Sequence, residues 1–327
     1  SISFLTDTND GVLNDLSELT DIGFKAVFAK GITSTALIDE NVIKALEEYI
    51  PLTPFHNPAY IASIRAFQKI LPNKPLVAVF ETWFHETIPD YAYIFSVPYE
   101  WYEKYGVRRY GFHGASHRYI SQRAPEFLGL PADKLKIISC HLGGSSSICA
   151  IKYGKSVDTS MGFSAQSRVM QSTRCGDIDP FLIPFIMDKE GLTTDQIRNI
   201  LATKSGMLGI SGVSSDMRDL LDEMDKGNDL ARLTVQAYHY SVKKYIGAYA
   251  SAMGGLDVLV FTGGIGERSV RGRADICENM EFLGIKIDHE KNRHAKGESN
   301  ISASDSKVQI LVIPTNEELI VARETAR

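Results

Sequence analysis

The chain has 327 residues, more than one average domain, and its apolar fraction of 44% and charged fraction of 23% are ordinary for a globular protein. A formal net charge of −5 excludes a general attraction for nucleic acid or an anionic membrane surface, so any phosphate binding has to be local. No apolar run approaches the ~20 residues that span a bilayer. The acidic, polar first residues do not read as a secretory leader. The four cysteines (Cys140, Cys149, Cys175, Cys277) lack metal-ligand spacing and read as reduced thiols of a cytoplasmic protein.

Residues 1–18 are polar and carry weak signals. A short alternating strand is predicted over Phe24–Ala29, followed by a helix from Asp39 to Tyr49 with Asp39 as its cap and Val42, Ile43, Leu46 and Ile50 at helical spacing. Phe55-His-Asn-Pro58 reads as a turn into a second helix, Tyr60 to Leu71, and Pro75–Phe80 as a buried strand. Aromatic residues crowd the segment from Tyr91 to Tyr110, after which Gly111-Phe-His-Gly-Ala-Ser-His117 leads into a helix over Arg118–Leu128. Two apolar runs, Leu135–Cys140 and Ile148–Ile151, flank His141-Leu-Gly-Gly-Ser-Ser-Ser147 and read as strand, tight turn, strand. Helices are predicted over Pro180–Gly191, Thr194–Thr203 and Leu230–Met253, and Ile210–Arg218 reads as a turn entering a helix. A strand over Leu256–Phe261 runs into Thr262-Gly-Gly-Ile-Gly-Glu267 and a further helix. The chain closes with a strand over Val308–Ile313, the turn Pro314-Thr-Asn-Glu-Glu318 and a short helix to Arg323. Strands alternating with helices, without a repeat of fixed period, indicate an α/β architecture.

Several stretches carry chemistry, each with two readings. The Gly- and Ser-rich turn at 143–147 offers backbone N–H groups and hydroxyls in a small volume, which suits phosphate, or is simply a polar hairpin loop. Thr262-Gly-Gly-Ile-Gly after an apolar strand suits a nucleotide phosphate or a purine against the backbone, or is a tight turn. Arg174 could clamp a carboxylate or a transferring phosphoryl group in bidentate fashion, or pair locally with Asp177 or Asp179. His113 and His117 lack a third ligand nearby and read as hydrogen-bonding histidines rather than metal ligands. Glu317 and Glu318 could hold Mg²⁺ or start the last helix, where the dipole favours carboxylates. His56 could donate to an anion or cap a turn.

Taken in order, His141-Leu-Gly, Asp158-Thr-Ser-Met-Gly-Phe163, Thr173-Arg-Cys-Gly-Asp-Ile-Asp-Pro180, Ser211–Arg218, Phe261–Glu267 and Pro314-Thr-Asn-Glu-Glu-Leu319 resemble the acetate kinase (acetate/propionate kinase) family, and Arg108–Gly114 and Phe55–Pro58 agree. The resemblance runs from about Asp15 to the C-terminus. It implies a two-domain actin/hexokinase/Hsp70-like fold with a ribonuclease H-like motif. One domain would comprise residues 1–83 with 318–327, and a nucleotide-binding and dimerisation domain would comprise 84–317. It further implies a homodimer and Mg²⁺-dependent phosphoryl transfer from ATP to a short carboxylate. Carried across residue by residue, Arg174 would hold the carboxylate and the in-flight phosphoryl group, His113 would donate to that group, and His56 would support the site. Val27, Phe55, Phe112 and Ala165 would line the alkyl pocket. His141 and the loop Gly143, Gly144, Ser145, Ser146 and Ser147 would cradle the ATP phosphates. Asp216, Met217 and Arg218 with Gly264 and Ile265 would bracket the adenosine, beside Arg268, and Glu317 would serve Mg²⁺ through its shell.

The sequence departs from the family's pattern at identifiable points. The family's first hairpin, which holds phosphate, has no counterpart before Asp15, so the first domain is expected to lack it at its N-terminus. The family's catalytic arginine corresponds to Lys25, a point charge without the planar fork. An aspartate expected to serve Mg²⁺ corresponds to Glu81, one methylene longer. The family's Asn-Gly in the phosphate loop is Gly144-Ser145, the Asn after the Gly-Gly-Ile-Gly-Glu motif is Arg268, and Phe55 replaces a leucine. These departures raise a second reading, a nucleotide-binding protein of the same fold that does little chemistry.

Overall fold

The computed structural model describes residues 2–7, 9–53, 56–167 and 169–327. It divides into two compact units, residues 1–83 with 318–327, and residues 84–317.

The smaller unit is built on a three-stranded sheet of β1 (Ile22–Ala26), β2 (Ala36–Leu37) and β3 (Leu76–Phe80) in the order β1-β3-β2. β1 runs parallel to β3, with Phe24 opposite Ala78 and Ala26 opposite Phe80. The strand predicted to reach Ala29 stops at Ala26, because β3 ends at the residue paired with it and no ladder partner continues. Helices Glu40–Glu48 and Asn57–Ile70 cover the sheet, burying Val42, Ile43, Leu46 and Ile64 against Phe24, Ala26, Ala78 and Phe80. The Asp39 carboxylate accepts from the amides of Asn41 and Val42, both at 2.9 Å, so the predicted cap forms. The second helix begins three residues earlier than predicted, since Pro58 suits a first turn, where no backbone donor is needed.

The larger unit holds a six-stranded sheet of β4 (Lys136–His141), β5 (Ser147–Lys152), β6 (Lys155–Thr159), β7 (Val258–Thr262), β8 (Ser299–Asn300) and β9 (Gln309–Val312), in the order β6-β5-β4-β7-β9-β8. β4 and β5 form the predicted antiparallel hairpin, while β4, β7 and β9 are mutually parallel. Both faces are buried, which is why the parallel strands read as continuous apolar runs. Ile138, Cys140, Ile148, Ala150, Leu259, Phe261, Ile310 and Val312 face the helix Asp229–Met253 and its Val235, Tyr238, Val242, Ile246 and Tyr249. The alternate residues Ile137, Cys149, Ile151, Val258, Val260 and Leu311 face the helix Gly114–Leu128 through Ile120 and Ala124. A strand at Lys155–Thr159 and a helix at Gly206–Ser211 were not legible in the sequence. Each is short and takes its pairing or packing from neighbours distant in the chain.

Candidate active site

The topology brings the candidate motifs to one edge. β4, β7 and β9 end at His141, Thr262 and Val312, and in open α/β sheets the ligand crevice lies outside the carboxyl ends of the strands. The loops beyond β4 and β7 are laced together: Leu142 N donates to Thr262 O at 2.8 Å, and Leu142 O accepts from Ile265 N at 2.8 Å and Gly266 N at 3.1 Å. Gly263 permits this approach. Its φ is +75°, and a Cβ there would lie 2.8 Å from Leu142 O. The helix Gly263–Arg268 starts within the glycines themselves, so of the two readings of this stretch the strand-to-helix junction forms rather than an isolated tight turn. Glu267 Oε1 accepts from Gly263 N at 2.9 Å and Thr315 N at 3.3 Å, joining this helix to the segment that carries Glu317.

Beside these loops lies a cavity of about 490 Å³ lined by Gly143, Gly144, Ser172, Ser215, Asp216, Met217, Arg218, Leu221, Gly264, Ile265, Arg268 and Ser269. Eight residues assigned to the nucleotide from the sequence therefore meet at one cavity. Ser172, Ser215, Leu221 and Ser269 were missed: Ser215 lies within the Ser211–Arg218 motif without a role assigned to it, and the other three are turned to the cavity only by the fold. Within it Asp216 caps the helix Met217–Asp225 and pairs with Arg218, whose hydrogen bonds hold its carboxyl below the ordinary value. Two of the loop's serines are turned inward, contrary to the reading that their hydroxyls face phosphate. Ser146 Oγ bonds Gly143 O at 3.0 Å and Tyr238 Oη at 2.9 Å, and Ser147 Oγ lies between two histidines. Both sit wholly buried: Ser147 opens β5 and Ser146 immediately precedes it, so the two point to opposite faces of a sheet that is covered on both sides.

Arg174 rests on a segment anchored from behind. The carbonyls of Gln171, Ser172 and Thr173 accept from the amides of Met207 (2.8 Å), Leu208 (3.0 Å) and Ser205 (3.0 Å). Its Nη1 donates to Ser145 Oγ (3.2 Å), Gln171 Oε1 (3.2 Å) and Ala165 O (3.3 Å), all uncharged. Among the described residues its Nε and Nη2 make no hydrogen bond and no carboxylate pairs with it; Asp177 instead accepts from the hydroxyl of Tyr245. The local Arg–Asp pair allowed by the sequence does not form. Burial draws the guanidinium's pKa below its ordinary value, the response of a cation held without a counter-ion.

The histidines form a chain of hydrogen bonds. Ser139 Oγ meets His117 Nδ1 at 2.9 Å, His117 Nε2 meets Ser147 Oγ at 2.7 Å, and Ser147 Oγ meets His113 Nδ1 at 2.8 Å. His113 stacks on His141 with ring centroids 4.2 Å apart, and His141 Nδ1 bonds Ser116 Oγ at 2.8 Å and lies 4.0 Å from Glu317 Oε1. Burial, with His85 and His141 nearby, pulls the His117 pKa well down, so His117 is neutral. His113 has φ +55° and ψ +31°, a left-handed conformation rare outside glycine and a mark of local strain held by its surroundings. Phe112 is buried beside it, its carbonyl accepting from His85 Nε2 at 3.0 Å.

In the smaller unit Lys25 Nζ lies 3.3 Å from Glu81 Oε1, Val27 is buried, and His56 precedes the first turn of the helix Asn57–Ile70 without a side-chain capping bond. Phe55 lies outside the described residues. Among the described residues no group of three or more His, Cys, Asp or Glu side chains could by itself hold a metal ion. Glu317, the first residue of the helix Glu317–Thr325, is a carboxylate of the kind that holds Mg²⁺ through its water shell. Nor, among them, is any helix long and apolar enough to cross a membrane.

Comparison with known proteins shows the family and the fold. A sequence model of the Acetokinase family matches residues 2–323. The acetate kinase of Carboxydothermus hydrogenoformans is 52% identical over 316 residues, covering 96% of this chain and 79% of that protein. The crystal structure of Porphyromonas gingivalis acetate kinase superposes with a TM-score of 0.92 at 45% identity, covering 99% of this chain and 82% of the other. A propionate kinase from Francisella tularensis gives a TM-score of 0.91 at 38% identity, with the same coverage. The fold is the actin/hexokinase-like α/β fold that the resemblance implied.

Proposed function

The chain belongs to the acetokinase family, and from that premise we propose that it transfers the γ-phosphoryl group of ATP to acetate or propionate, giving the acyl phosphate and ADP. The observation that carries the reading is Arg174, a half-buried guanidinium anchored on one nitrogen by three neutral acceptors, its other N–H groups left for an anion. Direct in-line transfer asks little covalent help of the protein, so positioning and charge neutralisation supply the catalysis. Arg174 orients the carboxylate and stabilises the equatorial oxygens of the transferring group. Running from Ser139 through His117 and Ser147, the hydrogen-bond chain delivers a proton's share to His113 Nδ1 and leaves the ring proton on Nε2, where it donates to the same oxygens. The 490 Å³ cavity takes the adenosine, between Met217 and the Gly264-Ile265 backbone. Glu317 would hold the water shell of Mg²⁺, which when bound would supply neutralisation of phosphate charge, and Glu81 keeps the carboxylate role that the resemblance assigns it. Lys25, His56, Val27, Phe55, Phe112 and Ala165 keep the roles that the resemblance assigns them, as do the homodimer and a cytoplasmic location.

Acetate and propionate differ by one methylene, worth ~1–3 kcal/mol in such a pocket, so one is preferred without the other being refused. A coupled assay with ATP, Mg²⁺ and each acid tests the reading. Turnover of ~1–100 s⁻¹ is expected. ATP-dependent thermal stabilisation without acyl phosphate would overturn it in favour of the binding-only alternative, to which a cation kept without a carboxylate partner lends no support.

A further inference from the structure

Gln171 is wholly buried and sits at the centre of a closed set of hydrogen bonds. Its Nε2 donates to Ala165 O at 2.8 Å, and its Oε1 accepts both from Ser145 Oγ at 3.0 Å and from Arg174 Nη1 at 3.2 Å. Ser145 Oγ has one proton, given to Gln171, and so its lone pair accepts from Arg174 at 3.2 Å. The backbone adds a second tie, Ser172 N to Gly144 O at 3.1 Å. The loop that lines the nucleotide cavity is thereby fastened to the guanidinium through side chain and main chain alike.

We infer that Gln171 and Ser145 are positioning residues for Arg174, aiming it from the nucleotide loop while leaving its charge uncancelled. The inference rests on the proposed role of Arg174. The chemistry favours an amide at 171 for a stated reason. A neutral carbonyl oxygen fixes a guanidinium N–H and orients the planar group, whereas a carboxylate at the same place would form the strong bidentate pair that competes with an anionic substrate. An apolar side chain would leave Nη1 with two acceptors and Ser145 without one.

Steady-state kinetics with Mg-ATP and acetate on four single variants test this. Gln171→Leu is expected to lower kcat ~10–100-fold, the range of one lost hydrogen bond to a charged group, with the KM for ATP within about threefold of wild type. Gln171→Glu keeps shape and acceptor but is expected to raise the KM for acetate ~10-fold or more, as its carboxylate occupies Arg174. Ser145→Gly removes only a hydroxymethyl group from a glycine-rich loop, so it keeps the test decisive should Gln171→Leu fail to fold; a kcat ~3–10-fold lower is expected. Added to Gln171→Leu, its effect should be less than additive, since both act on one nitrogen. Kinetic constants within twofold of wild type in both Gln171→Leu and Ser145→Gly would overturn the inference. So would a loss shared equally by kcat, the ATP KM and the melting temperature, the pattern of a purely structural role. Arg174→Ala separates the two levels: if it abolishes turnover, the proposed function stands whatever Gln171 does. If it leaves turnover intact, the role of Arg174 falls and the inference with it.

Discussion

Lys25 and Glu81 are each other's partners, with Nζ 3.3 Å from Oε1 and the Glu81 side chain only 5% exposed. They are also the two residues of the smaller unit to which the resemblance assigns catalytic positions. Glu81 follows β3 directly, and its amide donates to Ala26 O at 2.8 Å, which holds the pair in place from the backbone. Removing Lys25 leaves the buried Glu81 carboxylate without this counter-charge. Lys25→Met is expected to destabilise by ~1–3 kcal/mol, below the full value for a buried pair because the lysine is partly exposed. The double variant Lys25→Met/Glu81→Gln should recover at least half of that loss. Urea unfolding of the four proteins of the cycle reads the coupling directly, and purely additive losses would contradict it.

The arginine segment depends on Gly206, whose φ is +62° and whose missing Cβ would lie 2.2 Å from Gln171 O and 2.7 Å from Arg174 O. Backbone atoms cannot give way as the end of a side chain can. Gly206→Ala should therefore displace the segment and lower turnover by ~10-fold or more, since small misplacements of a positioned group are costly. Gly191 has φ +64° with open space around it, so Gly191→Ala should cost only ~1 kcal/mol of stability and leave turnover unchanged. Activity measured beside melting temperature distinguishes the two.

Burial pulls the His85 pKa from 6.5 to about 4. Its Nε2 donates to Phe112 O and its Nδ1 accepts from Ser156 Oγ at 2.9 Å, an arrangement satisfied by the neutral ring. Between pH 6.5 and 4 the unfolded chain binds a proton at this residue that the folded chain does not. Stability from this group is thus complete above pH 6.5 and falls as the pH drops toward 4, by roughly 3 kcal/mol in all. His85→Gln retains a donor toward Phe112 and cannot titrate. It should flatten the dependence of urea stability on pH by close to one proton across that window; an unchanged slope would contradict the assignment.

Arg273, 1% exposed, donates to Gly266 O (2.9 Å), Glu267 O (2.8 Å) and Asn292 Oδ1 (2.7 Å), and so neutralises the carbonyl end of the short helix Gly263–Arg268. Arg273→Met is expected to destabilise by ~3 kcal/mol, because several acceptors lose a charged donor at once. It should also raise the KM for ATP, since Gly264 and Ile265 of that helix line the nucleotide cavity. A variant that binds ATP as wild type does would show that the helix keeps its place without the arginine.

How much of this was legible in advance depended on range along the chain. The β4–β5 hairpin, the helices at Asp39 and Leu230 and the strands before Thr262 and Pro314 follow from periodicity, caps and glycines, which act between near neighbours. The end of β1 did not, because it depends on where β3 stops fifty residues later. The same division runs through the site. The motifs named Arg174, the glycines and Asp216–Arg218, but nothing in the sequence marks Gln171 as the residue that holds Arg174, or directs Ser146 and Ser147 inward and Ser172 outward.

The amino-acid sequence by itself determined the family, the α/β pattern and the residue types able to meet a nucleotide and an anion, since these are properties of local order and of motif. Only the tertiary structure decided that Arg174 keeps its charge beside neutral acceptors, that Lys25 meets Glu81, and that four hydroxyls and imidazoles form one chain to His113. Such partnerships join residues tens of positions apart, and the free energy that selects them comes from burial and hydrogen-bond satisfaction, which exist only once the strands have paired.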